Sequence, residues 1–496
     1  MLLAAVDLGS NSFRLEIGRV SDDAPGLIER HGYWKETLRL AAQLEQDMRL
    51  TVPAIRSACE CLARMNERLR GLAASQVRAV GTQALRLARN AQEFLGAAEQ
   101  ALGYPIEIIS GLEEARLVFE GCTHTLPPSA QRRLVVDVGG ASTEFVIGQG
   151  ASAQHTESFD VGCINTSVRF FKDGQITKDN FKRAQIAAGA QFEEAASVFS
   201  AAHWDEAYGA SGTVGAVSKI LQAQGWTNGI ITAQALLKLQ QQLISAGNIQ
   251  RIELAGLTPD RQEVIAGGVA VLTAIFKTLG LHELHPARGA LRIGVLHNLL
   301  GRKENRDIRD ATVDRLLVRF GADRAQAQQV AQLAQAFFQA LRPAHQAQRE
   351  TDATAGRALD WAALVHELGL AISHHEPQRH GAYLIENADL AGFSMTEQSH
   401  LAALVLGQRG PLRLVHSLTN HPDGSDQLLA LRLAVIFAHA RRPVSLPNWR
   451  LANSRGSIDL SIEANWLAKH PLTDHLLAEE IEHWAKEGVR MRVHRL

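Results

Sequence analysis

Ala5-Val-Asp-Leu-Gly-Ser-Asn-Ser-Phe13 and Val135-Val-Asp-Val-Gly-Gly-Ala-Ser-Thr-Glu-Phe145 are two copies of one pattern. Each is an apolar run, an aspartate, a Gly/Ser-rich turn and a hydroxyl residue. The pattern predicts a buried strand that ends in a tight loop with a carboxylate at its mouth. Glycines allow positive φ and close backbone approach to an anion. Successive N–H groups in such a turn form an anion-binding nest. The aspartate can hold a hard cation that in turn grips phosphate oxygens. Two such loops facing each other would clamp a phosphate chain and its metal, which points to phosphoryl transfer.

The rest of the chain supports a large globular protein. Its 496 residues predict several domains. With 51 basic against 52 acidic residues the net charge is −1, so bulk charge gives no sign of nucleic-acid binding. A polyanionic substrate must therefore be held by a local patch. Cys59, Cys61, Cys122 and Cys163 lack metal-knuckle or CxxC spacing and suit a reducing compartment. The first residues carry no basic, long apolar leader, and no segment is long and apolar enough to predict a membrane span. Peripheral membrane contact stays open.

The order of elements predicts an α/β class. Leu2–Leu8 and Phe13–Val20 read as a strand hairpin, Val52–Leu72 as a helix, Val77–Val80 as a strand and Ala84–Gly103 as a further helix. Pro105–Ile109 reads as a strand that breaks at Ser110-Gly111, before a helix over Leu112–Gly121. Residues 133–138 and 144–148 repeat the hairpin, and Ala207-Tyr-Gly-Ala-Ser-Gly-Thr213 forms another glycine–hydroxyl turn. The charge-dense stretch 301–310 reads as a linker. Helical patterns follow over 311–320, 324–342, 357–371, 379–388, 394–408 and 426–441. Pro443, Pro447 and Asn448 mark a break before a short α+β tail. The expected domains are 1–125, 126–300, 301–442 and 443–496.

Asp7 and Asp137 are the paired carboxylates of the two loops. Ser10, Asn11 and Ser12 on one side, and Ser142 and Thr143 on the other, offer donors, while Gly9, Gly139 and Gly140 permit close approach. One Asp-x-Gly turn is commonly only a hairpin; two with matching flanks, plus a third Gly-rich turn, are much less so. Glu144 follows the second loop and reads as a further metal ligand, directly or through water. Glu113 and Glu114 open a helix, where acidic residues commonly complement the dipole. A carboxylate beside a phosphate cleft can also orient and deprotonate water. Arg86, just after Gly81-Thr82, is a candidate phosphate fork. His366-Glu367, His374-His375 and Arg379-His380 cluster in the helical region without His-Glu-x-x-His spacing, which favours a polar helix face.

Together these residues resemble the exopolyphosphatase/guanosine pentaphosphate phosphatase family in its long form. The resemblance is carried by Ala4–Phe13, Val80-Gly-Thr-Gln-Ala-Leu-Arg86, Ile106–Leu117, Val136–Glu144, Gly209-Ala-Ser-Gly-Thr213 and Trp361–Gly369. It implies two ribonuclease H-like domains of the actin/Hsp70/sugar-kinase type with the active site in the cleft between them. It also implies an all-α domain similar to HD-type phosphohydrolases and a small α+β C-terminal domain. The implied reaction is Mg2+-dependent attack of water on a terminal phosphate of inorganic polyphosphate, with guanosine pentaphosphate (pppGpp) as the alternative substrate. A monovalent cation such as K+ is a further candidate cofactor. By motif Glu114 is the general base, and Asp137 and Glu144 hold the metal. Phosphate falls to Asp7, Gly9, Ser10, Asn11, Ser12, Arg86, Gly139, Gly140, Ala141, Ser142, Thr143, Gly209, Ser211, Gly212 and Thr213. A homodimer in the cytoplasm is expected. A kinase or nucleotide-binding regulator of the wider actin-like group is the remaining alternative, with Gly209–Thr213 in the region of its adenosine pocket.

The sequence departs from the family at two places. Ala141 stands where the family prefers glycine; if that position requires positive φ, alanine is strained by about 1 kcal/mol or more. His366-Glu367 stands at the His-Asp hallmark of the helical domain, so that domain is expected to serve binding or dimerisation and not a second metal centre.

Overall fold

The computed structural model describes residues 1–21, 26–304, 306–342, 350–419, 423–446, 448–454 and 457–496. Asn305 of the expected linker and Pro447 of the expected break lie outside them. The chain divides into two compact units, Met1–Asp307 and Ile308–Leu496.

The first unit contains two sheets. In the first, β1 (Leu2–Leu8) and β2 (Ser12–Val20) form an antiparallel hairpin around the first loop. The apolar residues of β1 are almost wholly buried, as a strand covered on both faces requires. Next come β3 (Ile28–Thr37), α1 (Val52–Leu69), β4 (Val77–Gly81), α2 (Gln83–Leu87), α3 (Ala91–Leu102), β5 (Ile106–Ile108) and α4 (Gly111–Thr123). The strand order is β3-β2-β1-β4-β5. The single helix expected over Ala84–Gly103 is thus two. Asn90 pins the break, accepting from Leu50 N at 2.8 Å and donating to Leu50 O at 3.1 Å. Those bonds hold the Asn90 amide away from helix-interior geometry.

The second sheet repeats the first. Its members are β6 (Arg132–Val138), β7 (Thr143–Gln149), β8 (Ser152–Phe159), β9 (Glu206–Ala210), β10 (Ile231–Thr232) and β11 (Glu283–Pro286). The order β8-β7-β6-β9-β11 matches that of the first sheet, with β10 added at the edge. The β-bulge recurs too, between Ile17/Gly18 in one copy and Ile147/Gly148 in the other. The helices are α5 (Cys163–Phe170), α6 (Lys178–Phe192), α7 (Ser211–Ala223), α8 (Ala233–Ala246), α9 (Pro259–Gln262), α10 (Ile265–Leu279) and α11 (Leu291–Lys303). α10 is buried nearly all round and anchors the core of this sheet.

α4 and α11 pack together over both sheets. Leu117, Val118 and Phe119 join Val295 and Leu296 in one cluster with Leu3 and Ala5 of β1 and Val135 and Val146 of the second sheet. The helices touch backbone to backbone: a Cβ on Gly294 would lie 1.8 Å from Leu117 O. Any side chain there must push the helices apart. Because α4 carries Glu114 at its start, this crossing fixes where that carboxylate sits.

The second unit is helical, with a three-stranded sheet of Arg450–Ser454, Ser457–Ile462 and Arg490–Arg495. The sheet and the helices share one continuous core, in which Phe337, Leu359 and Phe437 lie with Ile458, Leu460 and Trp484. Arg432, fully buried, donates to Glu480 Oε1 at 2.6 Å and Oε2 at 2.5 Å, and Trp484 Nε1 donates to the same carboxylate at 2.7 Å. A buried pair so saturated with hydrogen bonds fixes orientation more than it adds stability. No helix among the described residues is long and apolar enough to cross a membrane.

Candidate active site

The two copies of the loop share one close backbone contact. A Cβ on Gly9 would lie 3.0 Å from Ser12 O, and a Cβ on Gly139 would lie 3.0 Å from Ser142 O. Tight folding back of the loop, and not positive φ, is therefore what glycine supplies here. Gly9, Gly139, Gly140 and Ala141 all lie outside the left-handed region, so the methyl of Ala141 is unstrained. Gly140 faces the first copy: its Cβ would lie 3.4 Å from Ser10 Cβ.

The register of the hairpins sets what each aspartate faces. Asp7 is paired with Arg14 across β1–β2, whereas Asp137 is paired with Glu144 across β6–β7. The first aspartate also receives Arg292 Nη1 at 3.3 Å, and Arg292 Nε bonds Glu16 at 3.0 Å. The second sits among carboxylates. Burial, then the charge of Glu114, pushes Asp137 up to about 7 against the opposing pull of Arg14 and the Ser211 hydroxyl. Glu144 is raised well above the carboxylate range by burial, then by Glu114 and Asp137. Ser158 Oγ donates to its Oε1 at 3.1 Å.

Glu114 and Glu113 separate cleanly. Ser110 caps α4 by accepting from Glu113 N at 3.2 Å, and Glu113 is held by Arg116 at 2.7 Å. Glu114 instead meets Arg86 Nη1 at 2.9 Å, with both side chains 12% exposed. Burial raises Glu114, and Arg86 only partly offsets it. Arg86 is oriented by bonds to Gln83 Oε1 at 2.8 Å and Ile109 O at 2.9 Å. Its Nη2 is buried with no partner, as is Nδ2 of Asn11. Buried donors are rarely left unmade without a reason, and both are free for phosphate oxygens.

The expected hydroxyls are mostly engaged within the protein. Ser10 Oγ accepts from Ala84 N at 3.2 Å, and Ser12 Oγ accepts from Arg14 Nε at 3.2 Å. Thr143 Oγ1 donates to Val161 O at 2.5 Å, and Ser211 Oγ donates to Val138 O at 2.8 Å. Ser142 assists Glu144. In the third loop β9 runs straight into α7; Ser211 takes φ 82 there, a strain concentrated at functional turns. Gly209 lies at the end of β9, and Gly212 and Thr213 in the first turn of α7.

Three arginines join the site without a sequence motif: Arg14, Arg261 and Arg292. Arg261 lies over the third loop, where a Cβ on Gly212 would meet its Nη2 at 1.9 Å. Arg14 feels both Arg292 and Arg261, and burial chiefly lowers its pKa. Arg14 was detectable in principle as the strand partner of Asp7. Arg261 and Arg292 come from distant segments that only the tertiary fold brings in. Lys35 to Asp260 at 2.9 Å and the pairs Arg39–Glu263 and Gln83–Asp160 link the two sheet domains around the cleft.

A divalent cation fits this donor set. Among the described residues no group of three or more His, Cys, Asp or Glu could hold a metal by itself. Mg2+ is commonly bound by one or two carboxylates, water and substrate phosphates. Asp137 and Glu144 are raised first by burial and then by the charge of Glu114, and a cation would relieve both.

Two actin-like domains with a carboxylate- and arginine-lined cleft define a phosphate-handling fold. The chain belongs to the Ppx/GppA phosphatase family: residues 20–303 match the family's own pattern and residues 308–481 match that of Ppx/GppA phosphatase domain III. An exopolyphosphatase from Cytophaga hutchinsonii is 20% identical, with TM-score 0.55 over 61% of this chain and 98% of that one. A Ppx/GppA family member from Aquifex aeolicus is 24% identical, with TM-score 0.50 over 62% and 99%. An exopolyphosphatase-like protein is 24% identical, with TM-score 0.54 over 61% and 100%. At these identities the likeness is one of fold.

Proposed function

We propose that the chain is an exopolyphosphatase that removes terminal phosphate from inorganic polyphosphate. The observation that carries this reading is Glu114, a buried carboxylate of raised pKa held by Arg86 at 2.9 Å beside the Asp137–Glu144 pair. A general base must be free to take a proton at working pH and basic enough to keep it, and burial makes the Glu114 carboxylate more basic than an ordinary one. Glu114 takes the proton of the attacking water; the water oxygen bonds the terminal phosphorus, and the bond to the bridging oxygen breaks. Arg86 Nη2 and Asn11 Nδ2 receive equatorial oxygens, while Arg14, Arg261 and Arg292 hold the following phosphates. Asp137 and Glu144 would hold Mg2+, which supplies charge neutralisation of the phosphate chain.

A second reading, pppGpp 5′-phosphohydrolase, rests on Tyr33. Its ring is 41% exposed, with Arg30 and Arg292 each 5.3 Å from the centroid. It offers a stacking face for a base beside the arginine that bonds Asp7. Direct competition of the two substrates in one orthophosphate assay decides between them: polyphosphate is expected to have the larger kcat/KM. Glu114→Gln is expected to lower release from both by roughly 100- to 10,000-fold; unchanged release would remove Glu114 from the mechanism. A homodimer belongs to the same proposal. Sedimentation showing a monomer at micromolar concentration would contradict that part.

A further inference from the structure

The helical unit holds a cavity of about 550 Å³ that the reaction above does not use. That size lies within the roughly 300–1,000 Å³ common for small-molecule sites. Its lining is polar: Gln326, His366 and Gln408 are buried, while Arg409 and Arg441 are exposed. Glu367 adds a carboxylate to the wall, and His439 an imidazole whose pKa burial lowers.

Two buried atoms of this lining have no partner, His366 Nε2 and Gln326 Oε1. His366 Nδ1 lies 2.7 Å from Ala363 O and donates to it, so Nε2 is a bare acceptor in the neutral ring. Burial holds the ring neutral, with its pKa lowered to about 4. Gln326 Nε2 donates to Ala438 O at 3.1 Å, which leaves Oε1 as a second bare acceptor. Both atoms call for N–H donors.

The exposed part of the lining has the opposite preference. Arg409 has no carboxylate within ion-pair distance among the described residues; Arg441 shares Glu367 at 2.5 Å and Asp323 at 3.1 Å. Arg441 is also held at φ 52, a strained backbone that persists where surroundings or function fix it. Both arginines act on His366, and Glu367 Oε1 lies 3.9 Å from its Nε2, beyond hydrogen-bond distance. An anion is the complementary occupant, and guanidinium favours phosphate.

We propose that this cavity binds a nucleoside phosphate, with phosphate at Arg409 and Arg441 and the N–H edge of the base at His366 and Gln326. The site lies wholly within the second unit and does not depend on the substrate assigned to the first. The test is calorimetric binding of GMP, AMP, inorganic phosphate and tripolyphosphate to the full chain, its Arg409→Gln variant and its Arg86→Gln variant. At least one nucleotide is expected to bind 10-fold or more tightly than inorganic phosphate, to weaken 10-fold or more in Arg409→Gln, and to be unchanged in Arg86→Gln. Loss of nucleotide binding in Arg86→Gln alone would place it in the sheet unit and overturn the proposal. Tripolyphosphate binding as tightly as the nucleotide, with the same dependence on Arg409, would remove the base contacts and overturn it equally. Arg409 is exposed, so its substitution is expected to keep the fold, which an unchanged Tm of the Arg409→Gln variant checks.

Discussion

The two hairpins share an aspartate, a loop geometry, a bulge and a strand order, and differ at one decisive register position. Across from Asp7 stands Arg14; across from Asp137 stands Glu144. That single change of sign gives the two carboxylates different surroundings on one backbone. In the first copy cations surround the carboxylate, so the loop is suited to gripping anions. In the second copy burial, and then the charge of Glu114, pushes both carboxylates towards the protonated state, which supports the proposed metal at this loop. On the proposed reading this is a division of labour without a change of fold: the strand ladder fixes which side chains meet, and the residue type fixes what they can bind.

Reversing the sign in the second copy should have the largest effect. Glu144→Arg makes that register pair resemble the first, and phosphate release is expected to fall by about 100-fold or more, the scale of losing transition-state charge stabilisation. Steady-state kinetics with magnesium checks this; activity within a few-fold of the parent would break the comparison. Neutralising the first copy should be milder and of another kind. Arg14→Gln is expected to raise KM about 10-fold, the worth of a charge-assisted contact, with little change in the Mg2+ concentration needed for half activity.

The metal-free protein should carry a pH signature from the second copy. Asp137 has a folded pKa of about 7, above its ordinary value near 3.8. A group raised in this way stabilises the fold below about pH 4, and that stability is lost as pH rises through about 7. Thermal unfolding in chelator is therefore expected to show Tm falling between pH 5 and 7.5, by at least the few degrees that about 1 kcal/mol represents. Magnesium should remove most of the fall; a Tm that rises over that range in chelator would contradict the crowding of Asp137, Glu144 and Glu114.

The smallest effect concerns the loop itself. Ala141 does not occupy positive φ, so Ala141→Gly gains no relief of strain and loses chain stiffness. It should destabilise by about 0.5–1 kcal/mol. Stabilisation by more than that, measured in urea, would show that the alanine is strained after all.

Much of this was legible in the sequence, and the rest was not for physical reasons. The hairpins, the buried β1 and β6, and the capped start of α4 are written in local apolar runs, turns and an N-cap. β3 is not, because its exposed strand, Ile-Glu-Arg-His-Gly-Tyr-Trp-Lys-Glu-Thr, alternates too weakly to mark a buried face. The break between α2 and α3 was hidden because a distant residue, Leu50, pins Asn90. The carboxylates could be named from their motif neighbourhood. Arg261 and Arg292 could not, since their place in the cleft depends on α9 and α11 arriving from more than 100 residues away. Glu113 and Glu114 are equivalent in sequence; only the packing of α4 turns one to Arg116 and the other to Arg86.

Mn2+ binding tests the division of labour most directly. Electron paramagnetic resonance titration with Mn2+, in the presence of tripolyphosphate, compares the parent with Asp137→Asn and Arg14→Gln. Asp137→Asn is expected to weaken Mn2+ at least 10-fold, and Arg14→Gln to leave it within about 2-fold. Equal weakening by both, or weakening by Arg14→Gln alone, would contradict the assignment of the metal to the second copy.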